Sequence, residues 1–207
     1  MKKFVQHETA SFSRRSFITA ITAGLFAVAV HPLMASTSAA STSAVSGGQK
    51  VLIVYYSRSG NTRVVAESIH TALGGDIVEL QTVHPYPEEY RATTEQAQKE
   101  LKANYFPPLK TSVDDISPYD VILVGSPNWW GTFASPVRGF LAQHDFSGKK
   151  IAPFITHEGS ALGKSVADLK TLCPSATILD GLAVRGGRVQ GSQADVGQWL
   201  KRLDLSK

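Results

Sequence analysis

Cysteine is almost missing. Cys173 stands alone in 207 residues, so no internal disulfide can form and stability in an oxidising compartment must come from packing. Long apolar runs are missing too. The segment Phe17 to Val30 spans 14 residues and is diluted by Thr19, Thr22 and Gly24, whereas a bilayer crossing needs about 20. There is little surplus charge. Of the formal net charge of +4, Lys2, Lys3, Arg14 and Arg15 against Glu8 carry three units, which leaves 17 basic and 16 acidic residues in the rest of the chain. That balance excludes a nucleic-acid footprint. No internal repeat and no G-x-G-x-x-G after a strand appear, which argues against a second nucleotide-binding unit. His70, His84 and His144 are scattered without metal-ligand spacing.

What is present begins with Ser13-Arg14-Arg15-Ser16-Phe17-Ile18, the form of a twin-arginine export signal. A short apolar run and small-residue cleavage candidates at Ala35, Ala40 and Ala44 follow in order. The expected organisation is a signal peptide over 1–40, a Ser/Ala/Gly linker over 41–49 and one domain over 50–207. The stretch "STSAASTSAVSGG" (36–48) has the composition of a flexible tether. This predicts export through the twin-arginine translocase to the periplasm, or to the outside of a cell lacking an outer membrane. No stable membrane insertion is expected after cleavage.

The domain alternates strand and helix. "KVLIVYY" (50–56), "YDVILVGSP" (119–127) and "KIAPFITH" (150–157) are apolar runs suited to strands covered on both faces. "DIVELQ" (76–81) and "ATILDGLAVRG" (176–186) complete five strands. Pro153 implies a lightly paired position in its strand. Helical stripes lie between them: Val65/Ile69/Ala72/Leu73, a mostly polar stretch over 88–103, Val137/Phe140/Leu141/His144, Leu162/Val166/Leu169/Cys173 and Val196/Trp199/Leu200/Leu203. Such alternation predicts an α/β fold, a doubly wound parallel sheet with helices on both faces. Its ligands sit beyond the carboxyl ends of the strands. The loops after the first, third and fourth strands therefore carry the candidate site.

In the first loop, Ser57, Ser59, Gly60, Asn61 and Thr62 crowd the start of a helix. Unpaired backbone N–H groups, the helix dipole and these donors together suit a phosphate dianion. In the second, "SPNWWGTFASP" (126–136), two adjacent tryptophans in an extended loop cannot both enter the core, so one indole is expected over the sheet edge, available to a flat ring. The third, "THEGSALGKS" (156–165), ends in Gly-Lys-Ser but puts Glu158 where a phosphate-binding loop of the G-x-x-x-x-G-K-[ST] type has its first glycine. A carboxylate there would repel a triphosphate. Cys173 and Trp199, both on helix stripes, read as core residues, and no nucleophile or acid–base pair stands out.

Together "YYSRSGNTR", "GSPNWWGTFASPVRGFL" and "APFITHEGSALGKS" resemble the three cofactor loops of the flavodoxin family, in order and over residues 50 to 204. The likeness is greatest to the bacterial flavodoxin-like group with a Trp-Trp middle loop. The resemblance implies a five-stranded sheet of order 2-1-3-4-5 and one non-covalent FMN. It assigns Ser57, Arg58, Ser59, Gly60, Asn61 and Thr62 to the FMN phosphate. Pro127, Asn128, Trp129, Trp130 and Gly131 would border the isoalloxazine, and Thr156, His157, Glu158 and Gly159 would form its other wall. Two features depart from the family pattern: no tyrosine lies between 157 and 165, and the domain is near neutral rather than acidic.

The expected function is that of an exported FMN-binding redox protein that passes electrons, fed by another redox protein or a membrane donor. Beyond the cytoplasmic membrane there is no maintained NAD(P)H pool to feed a soluble reductase. The alternatives are an NAD(P)H-dependent quinone or flavin reductase and a non-redox module for another phosphorylated ligand.

Overall fold

A computed structural model describes residues 48–205. The twin-arginine segment and the linker through residue 47 lie outside the described residues. From Val51 the chain alternates as expected: β1 (Val51–Tyr55), α1 (Asn61–Leu73), β2 (Asp76–Glu79), α2 (Tyr90–Ala103), β3 (Val121–Trp129), β4 (Thr132–Phe133), α3 (Ser135–Gln143), β5 (Lys150–His157), α4 (Ser165–Leu172), β6 (Thr177–Ile178), β7 (Leu182–Arg185) and α5 (Gln193–Arg202). The main path of the sheet runs β2-β1-β3-β5-β6, with β7 also on β5, and these pairings are parallel. This is the 2-1-3-4-5 order with its last member divided.

Both faces of the sheet are covered because side chains alternate along each strand. Leu52, Val54, Ile122, Val124, Ile151 and Ile155 face one way, under Val137, Phe140 and Leu141 of α3 and Leu169 of α4. Val51, Ile53, Val121, Leu123 and Phe154 face the other, under Val65 and Ile69 of α1 and Val196 and Trp199 of α5. Cys173 and Trp199 are core residues, as their helical stripes predicted. Each fully buried aliphatic of this kind contributes about 1.5–3 kcal/mol. Among the described residues no helix is long and apolar enough to cross a membrane.

Two elements differ from the sequence expectation. The expected strand 176–186 is broken into β6 and β7, both on the outer edge of β5. The Ile151 carbonyl accepts the Leu179 N–H on that edge. Two residues on, Pro153 turns toward the same edge without an N–H to give, and the ladder lapses until Phe154 meets Leu182. The middle loop is not extended. β3 continues through Trp129 and folds back on β4, with Asn128 opposite Phe133 and Trp129 opposite Thr132. The two-residue turn, Trp130-Gly131, has positive φ at both positions, 55° and 85°. That is the geometry matching the twist of a hairpin. Gly131 takes it freely, whereas a tryptophan in the left-handed region is unusual.

Candidate functional site

The carboxyl ends of β1, β3 and β5 open into one cleft of about 630 Å³, within the usual range for small-molecule sites. Its lining includes Arg58, Ser59, Asn61, Pro127, Asn128, Trp129, Trp130, Gly131, Thr156, His157, Glu158 and Gly159. Three expected site residues lie off this wall and shape it from behind. Ser57 Oγ accepts the Arg63 N–H at 3.3 Å, supporting the first turn of α1. Gly60, at φ 89°, is the N-cap of α1 and brings no side-chain cap. Thr62 is buried, and its Oγ1 shares a 2.8 Å hydrogen bond with Thr156 Oγ1, fastening the first loop to the third. Ser59, the Asn61 amide and the amino end of α1 are left as the anion-facing donors.

Arg58 points elsewhere than the sequence suggested. Its guanidinium donates to the Glu88 carbonyl at 2.5 Å and to Thr93 Oγ1 at 3.2 Å, and lies 6.0 Å from the centre of the Tyr90 ring. These donors are engaged with the start of α2, so Arg58 joins the first loop to that helix while still bordering the cleft.

The second and third loops are locked together. Asn128 Nδ2 donates to the Ala161 carbonyl at 3.0 Å, and the Lys164 N–H donates to the Gly131 carbonyl at 2.6 Å. Gly163 makes this approach possible: at φ 53°, a Cβ there would lie well under 3.0 Å from the Gly131 oxygen. The two tryptophans divide as expected. Trp129 packs edge-on against Tyr56 and Tyr86, with ring centres at 5.6 and 4.8 Å. Trp130 is 51% exposed, and its indole N–H donates to the Thr94 carbonyl at 3.0 Å. That bond helps to hold a residue whose left-handed backbone costs about 1–2 kcal/mol.

The sequence reading missed a wall. Tyr90, Thr93, Thr94 and Ala97 of α2 close one side of the cleft, with Tyr90 71% exposed at the mouth. The second strand also ends at the ligand edge, so the element after it belonged with the three loops inspected. The mostly polar stretch over 88–103 offered no stripe to show which face α2 turns inward. The residues α2 buries are Thr93, Ala97 and Glu100.

A family model for flavodoxin matches residues 50–203. The chain belongs to the flavodoxin family. It is 33% identical over 96 residues to an NAD(P)H dehydrogenase (quinone) of Cupriavidus metallidurans, covering 45% of this chain and 46% of that one. It is 28% identical over 110 residues to a flavodoxin of Synechocystis, covering 51% and 50%. The chain thus spans about half the length of these curated relatives. Among solved structures, a flavoprotein of Lactobacillus acidophilus in complex with FMN is 27% identical, with a TM-score of 0.59, 73% of this chain and 99% of that chain covered.

The residues present fit FMN. The glycine N-cap gives the amino end of α1 no side-chain cap; one first-turn N–H, that of Arg63, goes to Ser57 Oγ, and Ser59 and Asn61 stand beside this end, where a phosphate monoester would meet N–H and O–H donors. His157 lines the cleft, and its Nδ1 is buried without a hydrogen-bond partner. Two indoles and the Tyr90 ring supply flat apolar surface for a ring system.

Proposed function

We propose that this flavodoxin is an exported electron carrier that works through non-covalently bound FMN. The observation that carries the reading is the junction, in one cleft, of a helix amino end that begins at a glycine N-cap with an aromatic hairpin. FMN supplies one- and two-electron redox chemistry when bound. The chain's residues do the rest. Ser59, Asn61 and the first turn of α1 hold the phosphate, while Thr62 and Thr156 fix the distance between the phosphate loop and the third loop. Trp129, backed by Tyr56 and Tyr86, and Trp130, tied to α2, exclude water from the ring pocket.

The export half of the proposal rests on the Arg14-Arg15 segment. Its electron source is then a redox protein or a membrane donor, with the twin-arginine translocase as a transient partner. Cell fractionation tests it: the mature chain is expected outside the cytoplasm, and an Arg14→Lys/Arg15→Lys variant is expected to stay inside.

A second reading, an NAD(P)H-dependent quinone or flavin reductase, draws on the name of the Cupriavidus relative and on the two exposed rings, Tyr90 and Trp130, at the cleft mouth. Anaerobic stopped-flow mixing of FMN-loaded protein with NADH and NADPH separates the two. A carrier shows little bleaching by either nucleotide, whereas bleaching at rates useful for turnover assigns the reductase. Purified protein that takes up no FMN at micromolar concentration, and is colourless once free FMN is removed, would refute both and leave a non-redox phosphate-ligand module.

A further inference from the structure

On one flank of the cleft the chain sets out three cations that its own fold leaves unpaired. β7 runs parallel to β5 and brings Arg185 level with His157, a residue of the cleft wall. The turn over 186–191 then carries Arg188. That turn is pressed against the cleft loops: a Cβ on Gly186 would lie 2.7 Å from Asn61 Nδ2 and closer still to the Glu158 carboxylate. Lys164 leads into α4, and a Cβ on Gly131, at the hairpin tip, would lie 3.8 Å from its Cε. All three cations are exposed, and none belongs to the cleft lining. The ion pairs among the described residues, Arg63–Glu79 and Arg91–Glu95, involve none of them. Across residues 157–165 and 185–192 the only acidic side chain is Glu158.

Exposed cations of this kind add little to stability. Their field acts outward, over the approach to the cleft. The amino ends of α1 and α4 open on the same edge, and their dipoles add to it. The excess is local, because the domain as a whole is close to charge balance. We propose, on the electron-carrier reading above, that this flank is the docking face for an acidic redox protein. The partner meets Lys164, Arg185 and Arg188 with carboxylates set around its own electron-exchange site.

The arrangement suits a protein rather than a single small anion. The three groups come from separate segments along a rim, whereas a small ligand needs polar groups converging in a concave site. It also suits a protein rather than a lipid surface, which recruits clusters of about 4–8 lysines and arginines. Arginine and tryptophan are side chains that protein interfaces favour. The half-exposed indole of Trp130 stands beside the hairpin tip that Lys164 borders. An electron carrier must also let its partner go. Attraction between rim charges raises the rate of encounter more than the affinity, and salt screens it.

The test uses the full chain and one probe in two charge states: mitochondrial cytochrome c, which is basic, and the same protein succinylated on its lysines, which is acidic. In the first arm, FMN-loaded protein reduced by dithionite is mixed anaerobically with each ferric form at ionic strengths of about 10 and 500 mM. Electron transfer to the succinylated form is expected to slow about tenfold as salt rises, whereas transfer to the native form does not slow. Lys164→Gln/Arg185→Gln/Arg188→Gln is expected to lower the low-salt rate to the succinylated form about tenfold. Lys102→Gln/Lys170→Gln/Lys201→Gln removes the same charge from the last turns of α2, α4 and α5, and should leave that rate within about twofold. If the first triple variant loses its native circular dichroism, its three single variants decide, each at about a twofold loss. The second arm needs no FMN: amide resonances of the FMN-free chain are recorded with ferric succinylated cytochrome c. Paramagnetic broadening is expected over 162–165 and 184–190 and is lost in the first triple variant. A chain that retains no FMN fails the function proposed above, and the second arm then decides the docking face alone. The proposal is overturned by a rate to the succinylated form that rises with salt, by equal losses in the two triple variants, or by broadening that avoids this flank. Sedimentation with phosphatidylglycerol vesicles that needs the same three residues, with no response to succinylated cytochrome c, also overturns it and assigns the flank to a lipid surface.

Discussion

Gly163→Ala tests the most specific contact in the cleft, the lock between the hairpin and the loop after β5. Alanine at φ 53° costs about 1–2 kcal/mol in backbone strain alone. Its Cβ would also collide with the Gly131 carbonyl oxygen and stand 2.9 Å from Asn128 Nδ2. A backbone oxygen cannot rotate aside, so the loops must part. Two hydrogen bonds then weaken or break: Lys164 N–H to Gly131 O, and Asn128 Nδ2 to Ala161 O. At a net ~0.5–1.5 kcal/mol each, the total loss is about 2–5 kcal/mol. For a domain of this size a kilocalorie lowers the midpoint of thermal unfolding by about 2–4 °C, so the expected fall is roughly 4–20 °C. The measurement is thermal unfolding of FMN-free protein by circular dichroism, which keeps ligand linkage out of the comparison. Fluorescence titrations with FMN and riboflavin accompany it. Both ligands are expected to weaken by the same factor, because the displaced wall borders the ring rather than the phosphate. Gly159→Ala is the control from the same loop, since a Cβ there meets nothing within 4 Å. A melting point within about 2 °C of wild type, with both affinities intact, would refute the reasoning.

Ser59→Ala removes one donor to the phosphate, a bond to a charged group worth about 1.5–3 kcal/mol; FMN affinity should fall roughly 10- to 100-fold while riboflavin affinity holds, as read by fluorescence titration. The tryptophans should separate by assay. Trp129→Ala, cut from between Tyr56 and Tyr86, is expected to lower stability by about 3–5 kcal/mol in urea unfolding. Half-exposed Trp130→Ala should cost little stability and instead restore fluorescence to bound flavin. Burial pushes the Cys173 thiol up to about 11 from 9.0, so iodoacetamide at pH 8 should label the chain only after unfolding. The sign for stability follows: the unfolded thiol ionises near pH 9 and the folded one near 11, so this contribution is complete below pH 9 and is lost as pH rises toward 11. Cys173→Ala should therefore lose less stability over that window in alkaline unfolding curves.

The sheet was legible because its signals are dense. β1 is apolar throughout, β3 and β5 carry apolar runs over 121–124 and 151–155, and each following helix has a clear stripe, so order and layers follow from pattern alone. Pro153 announced a defect but not its consequence, because the missing N–H acts on the neighbouring strand and divides it into β6 and β7. The hairpin at Trp130 was illegible for a different reason. A tryptophan with positive φ contradicts local preference, and what holds it is a bond to Thr94, 36 residues away in sequence. Arg58 and Thr62 were expected to hold a phosphate, yet in the structure their partners, Glu88 and Thr156, come from other parts of the fold. The type of side chain in a loop can be read from sequence. Its hydrogen-bond partner is set by which strands become neighbours.

That distinction bears on how the cleft comes to exist. The contacts joining its three loops, Thr62 to Thr156, Asn128 to Ala161 and Lys164 to Gly131, and the bond from Trp130 to Thr94 of α2, are all between groups of the chain itself. None needs a ligand to bridge it. The α2 wall is fixed in the same way, through Arg58 to Glu88 and Thr93 and through Glu89, whose carboxylate caps the N–H groups of Arg91 and Ala92. A cradle tied by its own bonds has little ordering entropy left to lose when the cofactor enters, and more of the interaction energy appears as affinity. If the chain is exported already folded and loaded, which the twin-arginine reading implies, such a cradle has a further use. FMN would then be taken up before export and kept afterwards, far from any cytoplasmic supply, and a cleft that does not depend on FMN to hold its shape would open less often to let it go.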